Sequence, residues 1–210
     1  MCGGMVMGKA YDVVKVFEQE VAKWAGAKYG VSVSSCCNAI FLSLVYHGGW
    51  GEITLPKRTY PGVATAVVNT GYDLDFEDLK WEGIYKIKPL QIIDSALRFR
   101  EGMYIPNTLY CVSFHYKKHL PIGRGGMILT DDKKAVDWLK MMRFDGRKEV
   151  PLNKDNISLC GYNMYMTPEQ AAHGLAMFQN YPEHKEDLGE INGYRDLTEF
   201  TVFKNNKVII

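Results

Sequence analysis

The chain has 210 residues, 47% of them hydrophobic and 23% charged, and 25 Lys and Arg against 24 Asp and Glu leave a formal net charge of +1. That balance argues against a disordered chain and supplies no global field to draw in nucleic acid or an anionic membrane. No run reaches the ~18 apolar residues of a membrane span, and residues 1–9 lack the basic start and apolar core of a secretory signal, so a soluble, cytoplasmic protein is expected.

Val13, Val14, Phe17, Val21, Trp24 and Ala25 recur at spacings of three and four, the stripe of an amphipathic helix. Residues 31–35 form a short β-type run, and 38–46 read as a helix ended by Gly48 and Gly49. Residues 52–55 are a second strand stopped by Pro56, and a helix over about 61–69 closes at Gly71. Short extended pieces follow at 72–74 and 84–87. Residues 90–94 (LQIID) and 109–114 (LYCVSF) read as buried strands with polar C-terminal ends, and 127–130 as another. Helices at about 133–142 and 167–180 complete the pattern. Strands alternating with helices predict an α/β fold, a three-layer α/β/α arrangement around a mostly parallel central sheet. Ligands in such sheets bind at the carboxyl ends of the strands. Three polar clusters fall there: Ser34 with Ser35, Asp94 with Ser95, and Ser113 with the loop after it.

Five cysteines (Cys2, Cys36, Cys37, Cys111, Cys160) are an odd number without a C-x-x-C pair, which argues against a disulfide framework or zinc ribbon. Reduced cytoplasm is the simplest compartment. Cys36 and Cys37 open a helix, where a thiol pKa can be lowered. Asp94, taken alone, reads as a helix cap or loop anchor. The segment 113–126, SFHYKKHLPIGRGG, carries more: a lysine pair between apolar strands, then a glycine cluster. A lysine drawn inward, or set beside another cation, can serve as a nucleophilic amine. His115 and His119 flank the pair as ordinary polar contacts, and no third ligand follows for a metal, so no metal site is expected. His173 is placed on a helical packing face.

In order along the chain, the segments FEQEVAKWAGAKYGVSVSS, ITLPKRTYPGVATAVVNTG, QIIDSALRF, SFHYKKHLPIGRGGMILTDD and GYNMYMTPEQAAHGLAMF resemble the fold-type I, pyridoxal-phosphate-dependent nucleotide-sugar aminotransferases of the DegT/DnrJ/StrS group. The likeness covers about residues 17–178. It implies that Lys118, in the S-F-x-x-x-K pattern, is the lysine that bonds the cofactor aldehyde, Lys117 being the less suitable neighbour. It implies further that Asp94 pairs with the protonated pyridine nitrogen, that Ser113 contacts the phosphate and that Tyr60 stacks on the ring. Ser35, Cys36 and Cys37 stand at the family's phosphate-binding turn, where a helix N-terminus presents its N–H groups. Asn163 matches an asparagine that reaches the cofactor of a partner subunit, which implies a homodimer with shared active sites.

Departures are equally specific. Cysteines replace the usual small polar residues of the turn, and a thiol is the weaker donor. Leu97 replaces a polar residue near the cofactor's phenolic oxygen, Arg124 an acidic one, and Tyr165 an arginine. The small C-terminal domain of the family is largely missing. The expected division is a PLP-binding domain over 1–180 and a short extension or domain remnant over 181–210, with at most a strand near the end. The resemblance implies an enzyme, a PLP-dependent transaminase that moves an amino group, from glutamate by analogy, to a keto group of a nucleotide-linked sugar. The alternatives are a catalytically impaired PLP-family scaffold acting as a binding or regulatory protein, and a PLP enzyme of other chemistry.

Overall fold

A computed structural model describes residues 10–189 and 193–203. Cys2 and the ends of the 1–180 and 181–210 divisions therefore lie outside the described residues. The elements run α1 (Asp12–Ala25), β1 (Tyr29–Val33), α2 (Cys36–Tyr46), β2 (Glu52–Pro56), α3 (Pro61–Asn69), β3 (Asp73–Glu77), β4 (Tyr85–Ile87), β5 (Ile92–Ser95), β6 (Leu109–Ser113), β7 (Gly126–Thr130), α4 (Lys133–Met142) and α5 (Pro168–Phe178).

Three layers form because the central strands are apolar on both faces. Along β6, Leu109 and Cys111 face one core, while Tyr110 and Val112 face the other, the period-two alternation of an extended chain. Helices α2, α3 and α4 cover the first face and α1 and α5 the second. The stripe of α1 buries Val14, Phe17 and Val21, and the helix stops at Gly26, whose φ of 86° suits glycine.

The sheet is mixed, which corrects the expected mostly parallel arrangement. Its order is β1-β7-β6-β5-β4. Only β5 and β6 run parallel in it, while β1–β7, β6–β7 and β4–β5 are antiparallel. For β4 and β5 connection length is the cause: a parallel neighbour needs a crossover of about a dozen residues or more, and residues 88–91 are too few to return β5 beside β4 in the same direction. β2 and β3 form a parallel pair across α3. They join the main sheet through a bridge in which Thr54 and Lys88 exchange N–H···O bonds of 3.0 and 3.3 Å. In the stretch where at most a strand is expected, residues 197–199 and 201–203 form short 3-10 turns. The remainder of that stretch lies outside the described residues.

These pairings send β1, β2, β5 and β6 in one direction, so their C-terminal ends share one edge of the sheet. β7 runs the other way and begins at that edge with Gly126. A β-carbon on Gly126 would lie 2.5 and 2.6 Å from the Ser35 and Cys36 backbone. Glycine thus lets the start of α2 rest on the sheet.

Beneath this edge α1, β1 and α4 are tied by a buried ion cluster. Glu18 accepts from the Ser32 N–H and hydroxyl, each at 2.9 Å, pairs with Arg143, and faces Lys140 at 3.2 Å. Burial alone would raise the Glu18 pKa, but Arg143 and Lys140 outweigh it and hold the carboxyl below its usual value. A carboxyl depressed in the folded state contributes stability above its unfolded pKa and loses it as pH falls through the folded one. Glu18→Gln, which strands a buried guanidinium, is expected to lower the unfolding free energy in urea at neutral pH by about 3 kcal/mol. That difference should vanish at acid pH below the folded pKa of Glu18.

Candidate active site

The shared strand edge opens into a cavity of about 700 Å³. Asp94 and Ala96 reach it from the end of β5, and Ser113, His115, Lys117 and Lys118 from β6 and its loop. Ser35, Cys36, Cys37 and Ile40 reach it from the start of α2, and Tyr60 and Val63 from the start of α3. Each arrives through a local rule. Ser35 is the N-cap of α2, extended in backbone, its hydroxyl accepting from the Asn38 N–H at 3.1 Å. Pro61 opens α3, a position that has no need of the missing N–H. The two helix starts come close because residue 62 is glycine: a β-carbon there would lie 2.8 Å from Cys37 Sγ and 2.7 Å from the Tyr60 ring.

Asp94 is the buried acid of the site, 3% exposed. Burial pushes its carboxyl above the usual range, opposed by hydrogen bonds from Tyr85 and the Ala96 N–H and by the charge of Lys118. The Tyr85 hydroxyl donates to Oδ2 at 2.8 Å and the Ala96 N–H to Oδ1 at 2.9 Å. Tyr85 faces Asp94 directly across the β4–β5 ladder, and its oxygen lies 2.7 Å from the buried Thr59 hydroxyl. Burial and the neighbouring Asp94 charge hold the Tyr85 phenol well above its ordinary pKa, so it remains a donor.

The structure separates the two lysines. Lys117 is exposed and Lys118 half-buried, and it is the charge of Lys118 that Asp94 senses. The thiols at the start of α2 are not activated. Burial, with the Asp94 charge, pushes Cys37 up to about 11 and Cys36 well above the ordinary thiol value. Both stay protonated, weak donors at neutral pH, and the lowered thiol pKa considered for a helix start is reversed by desolvation. The four described cysteines are free.

Of the residues singled out from sequence, Ser35, Cys36, Cys37, Tyr60, Asp94, Ser113 and Lys118 are brought together here. Asn163 is not: it is exposed, donating to Asp145 at 3.1 Å. His119 turns away, its Nε2 2.9 Å from the Glu186 carbonyl. His173 is exposed rather than packed. Leu97 is fully buried in the core, and the Tyr165 ring packs on Tyr11 and Phe144 at 6.0 and 5.2 Å. Arg124 lines the cavity and is held through Nε to the Ser34 carbonyl at 3.2 Å. Sequence reasoning missed Tyr85, Thr59 and Tyr194, the last also lining the cavity.

A buried acid and a lysine thus face one cavity, at the strand edge where a capped helix begins. The chain belongs to the DegT/DnrJ/EryC1/StrS aminotransferase family, whose pattern it matches over residues 4–95 and 106–193. Among its relatives, the spore coat polysaccharide biosynthesis protein SpsC of Bacillus subtilis is 25% identical over 233 residues, covering 86% of this chain and 60% of that protein. GDP-perosamine synthase of Caulobacter vibrioides is 26% identical over 212 residues, covering 80% and 57%. The crystal structure of the sugar aminotransferase CalS13 from Micromonospora echinospora shares the fold, with a TM-score of 0.71 at 16% identity over 84% of this chain and 66% of that one. The chain spans about 60% of the length of the curated relatives it matches.

A carboxyl whose folded pKa exceeds its unfolded one binds its proton more tightly when folded, so its ionisation costs stability as pH rises through the folded value. Asp94→Asn removes that cost. The ligand-free variant is expected to resist urea at least as well as the wild type at neutral pH, with any gain fading as pH falls through the folded pKa of Asp94 and gone below its unfolded value. A variant less stable than the wild type at neutral pH contradicts the assigned environment.

Proposed function

We propose that the protein binds pyridoxal 5'-phosphate at Lys118 and acts as a transaminase, moving an amino group from glutamate to a keto group of a nucleotide-linked sugar. The observation that carries this reading is the convergence of half-buried Lys118 and buried Asp94 on one cavity. The donor set fits the cofactor. A carboxylate with both oxygens already anchored suits a protonated ring nitrogen, and a half-buried lysine amine suits an aldehyde. Hydroxyls of Ser35 and Ser113 beside a helix N-terminus suit a phosphate dianion. The volume of about 700 Å³ lies within the range of about 300–1,000 Å³ typical of small-molecule sites.

When bound, the cofactor supplies the electron sink for charge at the reacting carbon. In this reading the Asp94 carboxylate holds the proton on the ring nitrogen, and Tyr85 and the Ala96 N–H keep that carboxylate ionised and oriented. Tyr60 offers its ring face as the stacking platform. Lys118 would hold the cofactor through its Nζ and would carry the proton moved at the substrate's α-carbon. Ser35, Ser113 and the backbone of Cys36 and Cys37 hold phosphate, and Asn163 serves the partner's site in a homodimer. Residues 1–180 form the cofactor domain and 181–210 an extension. The name of GDP-perosamine synthase supports the nucleotide-sugar class, and a cytoplasmic setting accords with the free cysteines and with the absence, among the described residues, of a helix long and apolar enough to cross a membrane. The presence of both Lys118 and Asp94 at the cavity favours an enzyme over an inert scaffold.

The purified protein is expected to take up pyridoxal 5'-phosphate with a visible absorbance band that borohydride bleaches, and glutamate is expected to discharge that band. Lys118→Ala abolishes it and Lys117→Ala retains it. Retention in Lys118→Ala with loss in Lys117→Ala reverses the assignment. Sedimentation is expected to give twice the 23.9 kDa chain mass; a single-chain mass removes Asn163 from any shared site.

A further inference from the structure

One wall of the cavity comes from beyond the family's matched blocks. The second block ends at residue 193, and Tyr194 lines the same cavity as Asp94 and Lys118. Its ring stacks on Trp81 with centroids 6.3 Å apart and planes inclined at 22°. Trp81 packs on Tyr85 at 4.7 Å and donates its Nε1–H to the Arg58 carbonyl at 2.9 Å. Tyr85 is the residue whose hydroxyl holds Asp94. A row of rings, Tyr194, Trp81 and Tyr85, thus leads from the cavity wall to the buried carboxylate.

The segment that carries Tyr194 is well anchored. Leu197 is 1% exposed in the core beside α2 and α3, and its N–H donates to the Lys57 carbonyl at 2.9 Å. Asp196 faces Arg58 at 3.9 Å and accepts from the Thr198 N–H at 3.0 Å. Phe203 meets Phe76 at 6.0 Å. These contacts fasten residues 194–203 to the stretch 57–60, which also presents Thr59 to Tyr85 and Tyr60 to the cavity. One piece of chain after α5 therefore supports both the ring platform and the partner of the buried acid.

We propose that residues 193–203 are a working wall of the cofactor pocket, with Tyr194 the positioning residue that closes the Asp94 side around bound pyridoxal phosphate. An aromatic wall excludes water and lowers the local dielectric, which strengthens the attraction between the carboxylate and a protonated ring nitrogen. Linkage then runs both ways: a wall that favours the cofactor is itself held more firmly when the cofactor is present. This inference rests on the cofactor reading given above.

The test uses the full chain and pyridoxal 5'-phosphate itself. Affinity is read by titrating the Lys118-dependent absorbance band, and wall docking by amide hydrogen exchange over residues 193–203 with and without the cofactor. Tyr194→Ala is expected to weaken binding by about three- to tenfold, the loss of one aromatic contact. Tyr194→Phe, which keeps the ring, is expected to stay within about twofold of the wild type on the same reasoning. In the wild type the cofactor is expected to slow exchange across 193–203, a measurement that needs no variant to fold. Unchanged affinity in Tyr194→Ala, or exchange in 193–203 indifferent to the cofactor, overturns the proposal while leaving the cofactor site standing. A wild type that takes up no pyridoxal phosphate overturns both.

Discussion

The Asp94 carboxylate is buried beneath the cavity, where water can no longer stabilise its charge, and the groups around it oppose the rise in pKa that burial causes. Burial raises its pKa; Tyr85, the Ala96 N–H and Lys118 act against that rise. Each of the three depends on a different part of the chain. The Ala96 N–H comes from the turn that ends β5, Tyr85 from the strand beside it, and Lys118 from the loop after β6. A buried acid left without such partners would take up a proton, and a neutral acid would offer no charge to a cationic ring. Under the proposed function, an ionised Asp94 would suit the cavity to a cationic ring.

Sheet topology supplies the arrangement. Because β1, β2, β5 and β6 run the same way, the residues that follow them gather at one edge, the ordinary ligand position of layered α/β folds. The short link between β4 and β5 enforces an antiparallel turn, and that turn sets Tyr85 opposite Asp94 in register. The close seating of α2 on Gly126 brings Ser35, Cys36 and Cys37 to the same edge. The ion cluster around Glu18 lies on the other side of β1 and holds α1 and α4 to it.

Local chemistry was the legible part. The helices read at about 61–69 and 133–142 are α3 and α4, Pro61 opening the first and the Asp132 side chain capping the second, because caps and periodicity act within a few residues. The polar strand ends at Ser35, Asp94 and Ser113 point to the cavity they line, and likeness to a known family singles out Lys118 over Lys117. The mixed sheet was hidden because the sequence was read for strand and helix alternation, whereas strand direction depends on how many residues link β4 to β5. Tyr85 escaped for the same reason: its partner is fixed by cross-strand register. Tyr194 lies far along the chain from Trp81 and Asp94, and only tertiary docking of Leu197 brings it to the cavity.

The most direct test of the account is a crystal structure of the protein soaked with pyridoxal 5'-phosphate. The account predicts electron density continuous from the Lys118 side-chain nitrogen into the cofactor, with the ring nitrogen within hydrogen-bond distance of Asp94. Cofactor density elsewhere, or a Lys118 side chain turned to solvent beside an occupied cavity, would contradict it.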